Sequence, residues 1–158
     1  MASLPACDEF GLLPPGIHNA TMAEIEDRFG RFQQTTRRRD LFRKLNEYVC
    51  EIQAVDWSVD LVINGSFVMT NVDEPNDIDV ILILPEDWDF TAEVKPFEYN
   101  LLARRRIQRR YELDLFGVPR NSETEKNMVD FFSQVRSEWC DRLQIPYSQE
   151  KGLIRIEL

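Results

Sequence analysis

The sequence predicts an α+β domain of the α/β type: a small mixed β-sheet holding two acid-bearing strands, with helices packed on one side. Three observations predict it. The run Ile78–Leu84 is short, rich in Ile, Val and Leu, and free of Ala, Glu and Lys, which is the composition of a strand buried on both faces. A second apolar run ends in Asn64-Gly65-Ser66, and a third, Tyr111–Val118, carries Asp114 between apolar neighbours. Around these runs, apolar residues recur at intervals of three and four, the signature of helices with one buried stripe. The 158 residues suit a single core. Residues 1–20 read as an extended N-terminal arm and 21–158 as one domain.

In chain order, Pro5, Gly11, Pro14, Pro15 and Gly16 punctuate the arm against regular structure, although Phe10, Leu12, Leu13 and Ile17 are apolar enough to pack. His18, the only histidine, ends it. Thr21 and Glu24 form a capping-box pattern, and Ile25, Phe29 and Phe32 extend it into a helix from about Met22 to Gln33. Thr36 is placed to cap a second helix, to about Ala54, with Leu41, Leu45, Tyr48, Val49 and Ile52 as its stripe. The basic cluster Arg37, Arg38, Arg39, Arg43 and Lys44 opposes the helix dipole and reads first as a solvated face, second as an anion contact.

Trp57–Asn64 predicts the first strand and Ile78–Leu84 the second, stopped by Pro85, which cannot donate to a ladder. An acidic, aromatic loop over 86–96 leads to a helix around Phe97–Arg109. After the Asp114 strand, Ser122 opens a helix with the stripe Met128, Phe131, Phe132, Val135, Trp139 and Leu143, ended before Pro146. The tail Lys151–Leu158 alternates like a final edge strand.

Bulk properties exclude several classes. Twenty-eight acids against 19 bases leave a net charge of −9, so a broad nucleic-acid surface is not expected. Cys7, Cys50 and Cys140 are far apart without metal-ligand spacing and read as free thiols of a reducing compartment. No run has the length of a signal peptide or a membrane span, which predicts a cytoplasmic chain without membrane contact.

The chemistry is predicted at the acids. Side chains two apart in a strand share a face, so Asp77 and Asp79 stand on one side, roughly 6.6 Å apart along the chain. Burying two unpaired carboxylates is costly. Either they lie at a solvated strand end or they surround a cation. If the Asp114 strand lies alongside, three carboxylates can hold two divalent ions about 3.5–4 Å apart, the arrangement of in-line phosphoryl transfer. Gly65 would allow close approach of a phosphate, and Ser66 would add donors.

In order, Gly65-Ser66, the spacer, Asp77-Ile78-Asp79 and Asp114 resemble the signature of nucleotidyltransferases built on the polymerase-beta palm, a superfamily that includes antibiotic-modifying adenylyltransferases and the minimal nucleotidyltransferases of toxin–antitoxin systems. The resemblance covers Leu61–Val118. It implies Mg²⁺ (or Mn²⁺) on Asp77, Asp79 and Asp114, with Asp114 also activating an acceptor hydroxyl, and a triphosphate on Gly65 and Ser66. The nucleotide would be an NTP, ATP first. Arg109 and Arg110, at the end of five arginines in seven positions, are further phosphate candidates, level with simple pairing to nearby acids. One departure stands out: between Phe67 and Asn76 there is no Lys or Arg where active members often carry one. The stretches Gly11–His18 and Lys151-Gly152-Leu153-Ile154 also resemble a small, functionally undefined bacterial family related to these transferases.

The function so implied is transfer of an NMP from an NTP to a hydroxyl on protein, RNA or a small molecule. The alternative is a weak or inactive module of the same fold, such as one half of a toxin–antitoxin pair, acting through a protein partner or a homo-oligomer. A sugar-nucleotide glycosyltransferase fits less well, since those enzymes have a nucleotide-binding half before the acidic motif. Acids that merely cap strands are a fourth reading, opposed by Asp114 in its apolar setting.

Overall fold

A computed structural model describes residues 4–31 and 35–158, so Phe32 and Gln33 of the expected first helix lie outside the described residues. Five strands form one mixed sheet: β1 (Ile17–Asn19), β2 (Asp60–Asn64), β3 (Ile78–Leu84), β4 (Leu113–Pro119) and β5 (Leu153–Glu157). Their spatial order is β1-β5-β2-β3-β4, with β1/β5 and β3/β4 parallel and the two central pairs antiparallel. The α+β class with a small mixed sheet is as expected.

Each strand obeys its period of two. Leu61, Ile63, Ile78, Val80, Leu82, Leu113, Leu115, Ile154 and Ile156 face the larger core, beneath α1 (Met22–Phe29), α2 (Arg37–Ala54), α3 (Pro96–Leu102) and α4 (Arg104–Tyr111). Val62, Ile81, Ile83, Val118 and Leu153 face the other way, where Phe132, Met128 and Val129 of α5 (Glu123–Phe132) cover them. Helices thus lie on both sides, α1–α4 on one and α5 on the other, which corrects the one-sided expectation. The odd-numbered face of β3 is as apolar as the even-numbered one beyond Asp79, and such a surface must be covered.

Local signals explain the element starts. Thr21 Oγ1 accepts from Glu24 N–H while Glu24 returns a carboxylate oxygen to Thr21 N–H, closing the capping box. Ser122 accepts from Glu125 N–H at the start of α5. Thr36 sits at the N-cap of α2 but with helical backbone angles, and its side chain caps nothing. Two expected helices are each divided. Ala103 turns extended between α3 and α4, and the stripe after Ser122 breaks into α5 and α6 (Ser137–Leu143).

The arm is not separate. Leu4, Leu12 and Leu13 are buried, and β1 hydrogen-bonds beside β5, so the tail strand is interior rather than an edge. Its alternation of polar and apolar residues is the same in either place. Leu12 also packs with Met69, Val72, Val135, Cys140 and Ile145 in a small second core that joins the arm, the loop after Ser66 and α6.

Candidate functional site

Asp79 lies directly opposite Asp114 in the parallel β3/β4 ladder and opposite Asn64 in the antiparallel β2/β3 ladder. Because Ile78 and Val80 are turned into the larger core, Asp77 and Asp79 share the other face, with Asp114 alongside. One carboxylate oxygen from each of the three acids lies within 4.8 Å of the others. The structure therefore brings together all three acids singled out in the sequence.

Their electrostatics are strained. Burial, then the charges of Asp77 and Asp114, push the Asp79 carboxyl up to about 6. Burial and then Asp114 also raise Asp77, against weaker opposition from Arg136 and Arg37. Like charges this close disfavour joint ionisation unless a cation joins them. The donor set fits a hard divalent ion, which takes oxygen ligands. Asn64 adds to the fit: it is fully buried on the same face beside Asp79, and its Oδ1 has no hydrogen-bond partner among the described residues.

Gly65 is required here. Its backbone stands at φ +85°, ψ −165°, and a Cβ would collide with the Asp79 carboxylate. Ser66 then opens a short 3₁₀ turn, Ser66–Val68, and both residues line a cleft of about 660 Å³ whose floor is Asp77, Asp79 and Asp114.

Two neighbouring arginines of α2 hold the loop between Ser66 and Asp77. Arg38 is fully buried and donates to the carbonyls of Phe29 (3.1 Å), Phe67 (2.6 Å), Met69 (2.7 Å) and Val72 (2.6 Å). Arg37 donates to Pro75 O (2.9 Å) and Asn76 O, and pairs with Glu112 at 3.0 Å, where Lys44 also docks at 2.6 Å. The cluster expected as a solvated face thus divides: Arg37, Arg38 and Lys44 turn inward, whereas Arg39 and Arg43 remain exposed.

The opposite wall comes from the break between α5 and α6. Gln134 bridges to Glu150, and Arg136, Trp139, Arg142 and Tyr147 line the cleft with Phe131 of α5. Phe131 and Tyr147 are exposed, and the Arg142 guanidinium stacks over Trp139 at 5.2 Å. Lys151, 5% exposed, completes the wall. Burial lowers its ammonium to about 8, with Asp79 opposing the shift.

Arg109 and Arg110 are not brought to this cleft. The helix that carries them, α4, is anchored by Ile107 and Tyr111 in the larger core on the far face, and Arg110 pairs with Glu51 at 3.3 Å. Of that run of five, Arg104 reaches the triad, at 3.1 Å from Asp114 Oδ1 and 4.6 Å over the Phe116 ring. His18 lies elsewhere, with Nε2 2.7 Å from Pro14 O.

Sequence reasoning missed Lys151, Arg136, Trp139 and the loop-bracing role of Arg38. Lys151 left a usable signal, because strict alternation puts it on one face with Leu153 and Arg155. Arg136 left none, since no Gly or Pro marks the helix break beside it.

Among the described residues no helix is long and apolar enough to cross a membrane. No curated protein and no solved structure matches the chain. One family model does match, over residues 5–157, nearly end to end. The chain belongs to that family, DUF6932, a family of unknown function.

Proposed function

We propose that this protein is a metal-dependent nucleotidyltransferase that moves an NMP from an NTP to a hydroxyl acceptor. The observation that carries the reading is the meeting of Asp77, Asp79 and Asp114 within 4.8 Å on the floor of a cleft large enough for a nucleotide. The finer fold assignment, a polymerase-beta-like palm, belongs to the same proposal. It is supported by the order of Gly65-Ser66, Asp77-x-Asp79 and Asp114 along antiparallel and parallel neighbouring strands.

Bound to the three carboxylates, Mg²⁺ or Mn²⁺ would supply charge stabilisation for the phosphoryl group and lower the pKa of a bound hydroxyl. The chain's own groups do the rest. Gly65 leaves space at the Asp79 carboxylate, and Ser66 offers its hydroxyl at the cleft surface. The acceptor oxygen bonds to the α-phosphorus, the bond from that phosphorus to the bridging oxygen breaks, and pyrophosphate leaves with the electron pair. Asp114 takes the acceptor proton on Oδ2, since Arg104 holds Oδ1. Phe131, Trp139 and Tyr147 offer aromatic surface on which a base can stack.

A non-catalytic module acting through a protein partner or a second copy is the second reading, favoured by the lack of any base from Phe67 to Asn76. Calorimetric titration of ATP with Mg²⁺ into wild type and Asp77→Asn/Asp79→Asn separates the two. Metal-dependent binding that the double variant loses supports the transferase. A folded wild type that binds neither ATP nor GTP in Mg²⁺ or Mn²⁺ removes it.

A further inference from the structure

Lys151 is buried in the wall beside the three acids, close enough to feel the charge of Asp79 but, among the described residues, with no ion pair of its own. Its backbone N–H donates to Ser133 O at 2.9 Å, which fixes the segment just before β5. Its side chain lines the cleft, yet among the described residues no carboxylate lies within ion-pair distance of the ammonium. Arg155, on the same face of β5, shows what a matched cation looks like here: it and Arg120 both pair with the buried Asp60. An ammonium held in a mostly buried side chain, open to solvent only through the cleft and without such a partner, is poorly stabilised, and an anion that enters the cleft recovers that cost. Arg136 lines the same cleft and is exposed; among the described residues its one ion pair is a 3.9 Å contact with Glu138, an exposed side chain that holds it weakly.

We propose that Lys151 and Arg136 form an anion subsite that receives the β- and γ-phosphates of the NTP beside the three carboxylates. The inference rests on the nucleotide reading and deepens it. It supplies the positive charge that the segment Phe67–Asn76 lacks, from residues about 70 positions further along the chain. The two cations lie on the wall and the three acids on the floor, so one ligand can meet both only if it carries negative charge bridged to the acids through a cation. A polyphosphate bound to a divalent ion has that form. In the transfer step these two residues hold the departing pyrophosphate, whose charge grows as the bond to the α-phosphorus breaks.

The test is calorimetric binding of inorganic triphosphate, with Mn²⁺ and again in EDTA, to wild type, Lys151→Met and Arg136→Gln. Wild type is expected to bind triphosphate in Mn²⁺, and each substitution to weaken it about tenfold, the loss of one charge-assisted contact. Mn²⁺ alone should bind both variants at least as tightly as wild type, because a repelling cation has been removed. Circular dichroism checks the fold of Lys151→Met, and Arg136, being exposed, provides a variant free of that concern. Unchanged triphosphate affinity in both folded variants overturns the subsite, as does no triphosphate binding by wild type under either condition. Mn²⁺ binding without triphosphate binding overturns the subsite and leaves the metal site standing. Triphosphate binding in EDTA that Arg136→Gln weakens, with no Mn²⁺ binding, supports the subsite and removes the transferase.

Discussion

At Gly65 two constraints coincide: a positive φ that L side chains rarely adopt, and an Asp79 carboxylate lying where a Cβ would be. Gly65→Ala is therefore expected to cost about 1–3 kcal/mol, by analogy with other sparsely populated backbone conformations, and to weaken Mn²⁺ binding by displacing Asp79. Urea unfolding and Mn²⁺ titration of the variant check both effects, and an unchanged midpoint contradicts the geometry. Asp79 makes a second prediction. Its folded carboxyl is raised to about 6 from an ordinary 3.8, so the folded state holds the proton more tightly than the unfolded chain does. Stability from this group is then greatest below the unfolded value and declines as pH rises from about 4 through about 6. Asp79→Asn should flatten that decline and stabilise the metal-free protein at pH 7. Denaturant melts across pH 4–8 measure it, and a variant with the same pH slope as wild type contradicts the assignment. Mn²⁺ should offset the decline in wild type only.

At the scale of elements, the loop from Ser66 to Asp77 has little regular structure of its own, and α2 holds it from below. Four main-chain carbonyls depend on one buried guanidinium, Arg38. Arg38→Ala removes this donor from all four and leaves Met69 O only the Val72 N–H at 3.1 Å; a loss of about 3 kcal/mol or more is expected, since each buried unsatisfied acceptor costs about 1–3 kcal/mol. Metal affinity should fall with it, and thermal melts with and without Mn²⁺ test the pairing of the two losses. Much of this region was legible in the sequence and part was not. The acids, Gly65-Ser66 and β3 could be read because strand periodicity is local and a buried apolar run tolerates Asp only with a reason. Arg38 could be read only in part: spacing of three and seven residues from Leu41 and Leu45 puts it on the buried stripe, but nothing local shows that its partners are carbonyls of a distant loop. The break after Phe132 was hidden for a related reason. Val135, Trp139 and Leu143 keep helical spacing across it, while the departure is driven by Gln134 pairing with Glu150 and by Lys151 N–H pairing with Ser133 O.

At the scale of the whole molecule, every part of the site stands at one end of the sheet. The C-terminal end of β2 and the N-terminal ends of β3, β4 and β5 meet there, which places Gly65, Asp79, Asp114 and Lys151 together from four strands. The N-terminal segment is part of that arrangement, since β1 covers β5 and Gly11 O accepts from Thr70 in the loop after Ser66. Deleting residues 1–19 should therefore abolish cooperative unfolding rather than trim a loose arm; a truncated chain that melts like the full one contradicts this. The sequence suggested an arm because its prolines and glycines punctuate, and punctuation says nothing of Leu12 and Leu13 being buried in the two cores.

The central claim, a cation-holding triad in a nucleotide cleft, is tested most directly by anomalous diffraction from crystals soaked in Mn²⁺ with a non-hydrolysable ATP analogue. A manganese peak is expected among the carboxylates of Asp77, Asp79 and Asp114, absent from Asp77→Asn/Asp79→Asn crystals. No peak there at saturating Mn²⁺, in crystals of the folded wild type, contradicts it.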